Sequence, residues 1–157
     1  MCSSDLLADV AVEAGAPHRA LPGEVVVLHD GVEVAGGVYM PGPDELLAIR
    51  TWLAANHEAF RKAARTPEKL MGKLQGTSLQ RVPKGFSADH PAAELLKRKQ
   101  WYFYTTLDVG LAETPKLVPE LIKRFRAMLP VVGLLNTPLK PARARGKFDE
   151  TVFAVPD

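Results

Sequence analysis

Cysteine occurs once in this chain of 157 residues, at Cys2. A single cysteine excludes an internal disulfide and a thiolate-held metal cluster, and it makes a reducing cytoplasm the expected compartment. No apolar run approaches the roughly 20 residues that a membrane-spanning helix needs. The opening residues lack the basic-then-apolar order of a secretory leader. There is no Gly-x-Ser-x-Gly elbow, and no glycine-rich phosphate loop ending in Lys-Ser or Lys-Thr. The histidines His18, His29, His57 and His90 are too scattered to form a helical metal pair four residues apart. Neither a metal nor another cofactor is therefore expected.

What is present is ordinary in amount and uneven in placement. With 46% hydrophobic and 24% charged residues, the chain has the composition and length of one globular domain. Its net charge is +2, yet residues 1–60 hold nine acids against Arg19 and Arg50, whereas residues 61–100 hold ten bases against three acids. A segment that basic can face phosphate or another anion, although such blocks are more often a solvated surface. The opening MCSSDL reads like a translated sequencing adapter. Residues 1–6 are thus expected to be non-biological, Cys2 to carry no function, and the chain to be a fragment.

Residues 1–23 show no clear period and are expected to be weakly ordered. The stretch EVVVLHDGVEVAGGVYM then supplies two β-branched runs around Asp30-Gly31, a hairpin signal, with Val25, Val27, Val32 and Val34 on one side. Gly36-Gly37 inside the second run predicts a bulge or a close backbone approach. In MPGPDELLAIRTWLAANHEAFRKAART, Pro43, Asp44 and Glu45 suit a first helical turn, and Leu46, Ile49, Leu53 and Phe60 share a face. Arg50 borders that face, so its guanidinium can reach back over the sheet. TSLQRV predicts a brief strand, PKGF a turn around Gly85, and HPAAELLKRK a short helix beginning at Pro91.

QWYFYTTL predicts a strand with Trp101, Phe103 and Thr105 on one side and Tyr102, Tyr104 and Thr106 on the other. The final helix, TPKLVPELIKRFRAMLPVVGLL, repeats Leu121, Ile122, Phe125, Met128 and Leu129, with Pro130 expected to end or kink it. Residues 140–157 are expected to form a loose, basic tail, which leaves 24–139 as one α+β domain. Its predicted architecture is a small antiparallel or mixed sheet packed against two longer helices and one short helix.

The runs GGVYMPGPDELLAIR and LQRVPKGFSADHPAAELLKRK resemble a bacterial family described as domain of unknown function 2461, over roughly residues 32–135. The matching positions include Gly36, Gly37, Tyr39, Pro41, Ile49 and Arg50, then Arg81, Pro83, Lys84, Gly85, Phe86, Asp89, His90 and Pro91. Gln80 departs from the family's usual lysine. The resemblance implies the C-terminal half of the family's domain and brings no activity with it. A half domain would be marginally stable or would associate through an unpaired sheet edge.

Three functional readings remain open. In the first, the domain binds an anionic, phosphate-bearing small molecule through Arg50, Arg81, Lys84 and Lys97, with His90 and the start of the Pro91 helix beside them. In the second, an enzyme uses His90 for acid–base work, with Asp89 orienting it and Arg81 and Lys84 stabilising negative charge. In the third, Trp101–Tyr104 and the neighbouring lysines stack and hold single-stranded nucleic acid, the least favoured partner. The plainest reading gives Asp89 and His90 only the closing of a helix end. No membrane partner is expected, and the oligomeric state stays open.

Overall fold

A computed structural model of the chain describes residues 21–28 and 30–139. The expectations for residues 1–20, for His29 and for the 140–157 tail lie outside these residues, as do the side chains of Val25 and Val27. Among the described residues no helix is long and apolar enough to cross a membrane.

Strands β1 (Leu21–Leu28), β2 (Gly31–Val38) and β3 (Trp101–Leu107) form an antiparallel sheet in the order β1-β2-β3. Leu28 pairs with Gly31, so Gly31 stands in the second strand rather than in the turn that the Asp30-Gly31 signal suggests. Gly31 is already in the strand because a Cβ there would stand 2.5 Å from Thr106 Cγ2. The β1–β2 register slips between Leu21 and Glu24, opposite the Gly36-Gly37 pair, where an irregularity is expected from the glycines.

Directly opposed residues on an antiparallel pair share a face. Val32, Val34 and Val38 of β2 oppose Leu107, Thr105 and Trp101 of β3, and Gly36 opposes Phe103. This face is the core face: Val32, Val34, Val38, Trp101 and Phe103 are all fully buried. Trp101 buries its ring without orphaning its donor, since Nε1–H donates to Leu95 O at 3.2 Å. The other face carries Tyr102, half-buried, and Tyr104, whose hydroxyl donates to Glu33 Oε1 at 2.7 Å.

Helix α1 (Pro43–Met71) begins as its sequence predicts, with Pro43 at the first position and the Gly42 N–H donating to Glu45 Oε2 at 2.9 Å. It runs beyond the periodic stretch, through Pro67. Asn56 departs from helical geometry with φ −128° and ψ 23°. Its Nδ2 donates to Trp52 O at 2.9 Å, the same carbonyl that an unbroken helix offers to the Asn56 backbone N–H. Ile49, Leu53, Phe60 and Ala64 are its buried stripe.

The short helix α2 covers Ala93–Leu96, a single turn, with Pro91 and Ala92 in the turn before it. Helix α3 (Leu117–Asn136) lies against β1 and β2 and packs on α1. It continues through Pro130, which is exposed, because Val131, Val132 and Leu135 beyond it are buried. Pro130 deprives the Arg126 carbonyl of its helical donor, and burial of that last apolar turn outweighs the loss. The buried stripe also differs in detail from the expected one: Leu121 and Met128 are inside, while Ile122 and Leu129 are exposed. Among the described residues the fold is α+β, with one three-stranded sheet, two long α-helices and one short one.

Segment 75–79 is not a strand. It runs beside β3 and the residues before it only through isolated bridges, Gln75 with Tyr102 of β3 and Ser78 with Arg98. The bonds are nonetheless good: Gln75 N–H to Tyr102 O at 2.7 Å, Lys99 N–H to Thr77 O at 2.9 Å, and Leu79 N–H to Lys97 O at 2.8 Å. This fringe positions the site.

Candidate functional site

Arg50 is the one buried charged residue among those described, with a relative exposure of 8%. It sits two turns into α1 beside fully buried Ile49, so the helix itself carries it inward. One guanidinium nitrogen, Nη2, donates to Arg98 O at 2.9 Å, and Nε is enclosed with no acceptor. No carboxylate pairs with it among the described residues. Burial lowers its pKa from the ordinary arginine value. Arg98 is lowered by burial as well, with Glu94 and Glu68 acting in the opposite sense. An arginine remains charged under such a shift, so the domain holds a buried cation without a counter-charge, an arrangement that costs free energy.

Arg50 lines a groove of about 400 Å³. One wall is apolar: Tyr39, Met40 and Pro41 from the β2–α1 connection, with Leu46 of α1. The remaining lining is Thr77, Lys99 and Gln100, which are polar, with the half-buried Leu79 among them. Gln100 Oε1 accepts from the Thr77 N–H at 3.1 Å, which leaves the Gln100 amide N–H groups as donors. Lys99 is exposed and has no acidic partner among the described residues. With Nη2 engaged and Nε closed off, Nη1 is the remaining guanidinium nitrogen. The Thr77 hydroxyl also donates to Gln100 Oε1, at 3.5 Å, so the groups left in the groove are two cations and the Gln100 amide N–H.

The other nominated residues lie elsewhere, and none of Arg81, Lys84, Asp89, His90 or Lys97 lines this groove. Arg81, Lys84 and Asp89 are exposed on the loop before α2. Gly85 there takes φ +98°, as a PKGF turn requires. The Asp89 carboxylate makes no hydrogen bond among the described residues, to His90 or to any other. His90 Nδ1 accepts the Ala92 N–H at 3.0 Å, and its ring stands edge-on to His57 with centroids 5.7 Å apart. Arg61 of α1 donates to Pro91 O at 2.7 Å, which fastens the same loop to the long helix. In this arrangement His90 caps a turn. His90→Ala is expected to cost about 0.5–2 kcal/mol of stability, measured by urea denaturation, and to leave the Arg50 groove working.

Lys97 donates to Glu94 Oε1 at 2.6 Å, so its charge is already matched. The hydrogen bond from Lys97, and then its charge, lowers the Glu94 pKa below the ordinary carboxylate value. A depressed carboxylate stabilises the fold above its unfolded pKa, and that contribution is lost as pH falls through the folded one. A carbon-detected NMR titration is expected to place the Glu94 midpoint below those of unpaired glutamates, and Lys97→Met to return it to them. An unchanged midpoint in Lys97→Met contradicts the pairing.

The sequence reading missed Lys99, Thr77 and Gln100. In the sequence Lys99 ends a Lys-Arg-Lys run that looks like a solvated helix terminus. Among the described residues no group of three or more His, Cys, Asp or Glu side chains could hold a metal ion. A second cavity of about 440 Å³ is lined by Leu107, Leu111, Pro119, Glu120 and Arg124 among others. Its arginine is ion-paired to Glu120 and its Lys116 is exposed, so it lacks the buried, carboxylate-free cation of the first.

Comparison with known proteins agrees with the motif resemblance. Neither the curated proteins nor the solved structures include a match to this chain. A family model described as Conserved hypothetical protein (DUF2461) matches residues 22–133, which spans every strand and both walls of the groove. That match covers more than half of the residues, and the chain belongs to the DUF2461 family.

Proposed function

We propose that this domain binds an oxyanion, a phosphate group foremost, in the groove between the β2–α1 connection and the 75–79 fringe. Arg50 supplies the buried positive charge, Lys99 a second one, and the Gln100 amide a neutral donor that Thr77 holds in place through Oε1. The observation that carries this reading is the buried, acid-free guanidinium opening on a groove. A charge kept out of water without a partner raises the affinity for any anion that can reach it, because the desolvation cost has been met on folding. Arg81 and Lys84, exposed on their loop, can contribute long-range attraction rather than contact.

The test is thermal denaturation with increasing inorganic or methyl phosphate at constant ionic strength. A ligand that binds only the folded state raises Tm with concentration. The rise is expected in the parent chain and in Arg81→Ala/Lys84→Ala, smaller in Lys99→Met, and absent in Arg50→Met. An equal rise in Arg50→Met overturns the reading.

A further inference from the structure

The polar wall and Arg50 account for only half of the groove. The rest is Leu46, Leu79 and the consecutive run Tyr39-Met40-Pro41, in which two side chains are unusually exposed: Tyr39 at 60% and Met40 at 59%. The Tyr39 ring is held in place, since it meets Tyr102 edge-on with centroids 5.4 Å apart and planes at 76°. A fixed, exposed aromatic ring beside a buried cation leaves apolar surface wet unless something apolar covers it. A bare inorganic ion fills the cationic end and leaves that surface uncovered. An organic anion with a flat apolar body fills both, its head on Arg50 and Lys99 and its body on Tyr39 and Met40.

Resting on the oxyanion reading above, we infer that the ligand class is a monophosphate ester with a flat, apolar or aromatic body, and that Tyr39 and Met40 select it over small phosphates. Leu46, half-buried on the same wall, forms the floor under the body. Leu47 is equally apolar and 57% exposed but lies outside the groove, so it has no part in the selection.

Isothermal titration calorimetry of the 157-residue chain with methyl phosphate and phenyl phosphate separates head from body. Phenyl phosphate is expected to bind about tenfold tighter, the scale of one ring stacked on an aromatic side chain. Tyr39→Ala/Met40→Ala is expected to reduce that preference to about twofold or less while methyl phosphate binding persists, and Leu47→Ala to keep it whole. Equal affinity of the parent chain for the two esters overturns this inference alone and leaves oxyanion binding standing. A preference that survives Tyr39→Ala/Met40→Ala does the same. Failure of both esters to bind overturns the two readings together.

Discussion

Gly37→Ala is expected to destabilise the domain by about 3 kcal/mol or more, enough to unfold a chain of ordinary marginal stability. Two costs add at this position. Gly37 takes φ +132°, a conformation that side chains with a Cβ rarely adopt. A Cβ placed there would also stand 2.2 Å from Trp101 O and 2.6 Å from Tyr102 Cα. Both are backbone atoms of β3, so no rotamer change relieves the clash. The strands must separate, at the pairs that seat Trp101 against the helices. Urea denaturation followed by tryptophan fluorescence measures the effect. A midpoint within about 1 kcal/mol of the parent chain would mean that the close approach at Gly37 is not real.

Arg50→Met is expected to have the largest effect on binding, a loss of 100-fold or more in phosphate affinity, as follows when a desolvated charge partner is removed. Its effect on stability is expected to be small. The substitution leaves Arg98 O without its donor, which costs about 1–3 kcal/mol. It also relieves the burial of an unmatched charge and keeps an apolar stem of similar length in place, and these terms oppose the loss. Arg50→Lys is the companion variant: it keeps a charge but loses the fork that holds Arg98 O and faces the groove at once. Retention of binding in Arg50→Met would assign Arg50 a purely structural role, and if Arg50→Met unfolds, normal binding in Arg50→Lys would show that the charge suffices without the fork.

The parts of the fold that depend on local pattern were legible in the sequence. The alternation in QWYFYTTL placed Trp101 and Phe103 on the same side of the strand, and in the fold that side is buried. Helical spacing placed Arg50 at the border of the buried face of α1, which is why it could be nominated before any coordinates. The parts that depend on distant pairing were not. HPAAELLKRK reads as one helix, yet the helix stops at Leu96 because the backbone of Lys97 and Lys99 is drawn into hydrogen bonds with Leu79 and Thr77. That pairing turns a basic helix end into one wall of the groove. Likewise, nothing near Pro130 in the sequence says that the turn beyond it is buried deeply enough to carry the helix through.

The cluster at Arg81, Lys84, Asp89 and His90 shows the opposite error. Its residues are dense in the sequence because they build a loop that must be closed and fastened. His90 takes the Ala92 N–H, and the Pro91 carbonyl takes Arg61. Residues that hold a turn together and residues that hold a ligand draw on the same polar types. What distinguishes Arg50 is burial without a carboxylate partner among the described residues, a property of the folded chain that no short motif encodes.

The central claim is that the Arg50 guanidinium is a buried cation waiting for an anion. Arginine side-chain proton–nitrogen NMR spectra, recorded while phenyl phosphate is added, test it most directly, with Arg50→Lys and Arg81→Lys providing the assignments. The account predicts that the Arg50 Nε–H signal is protected from solvent exchange before ligand is added, and that it shifts to saturation with the same midpoint as the calorimetric titration. An Arg50 signal that stays in place through saturation, while that of Arg81 moves, would contradict it.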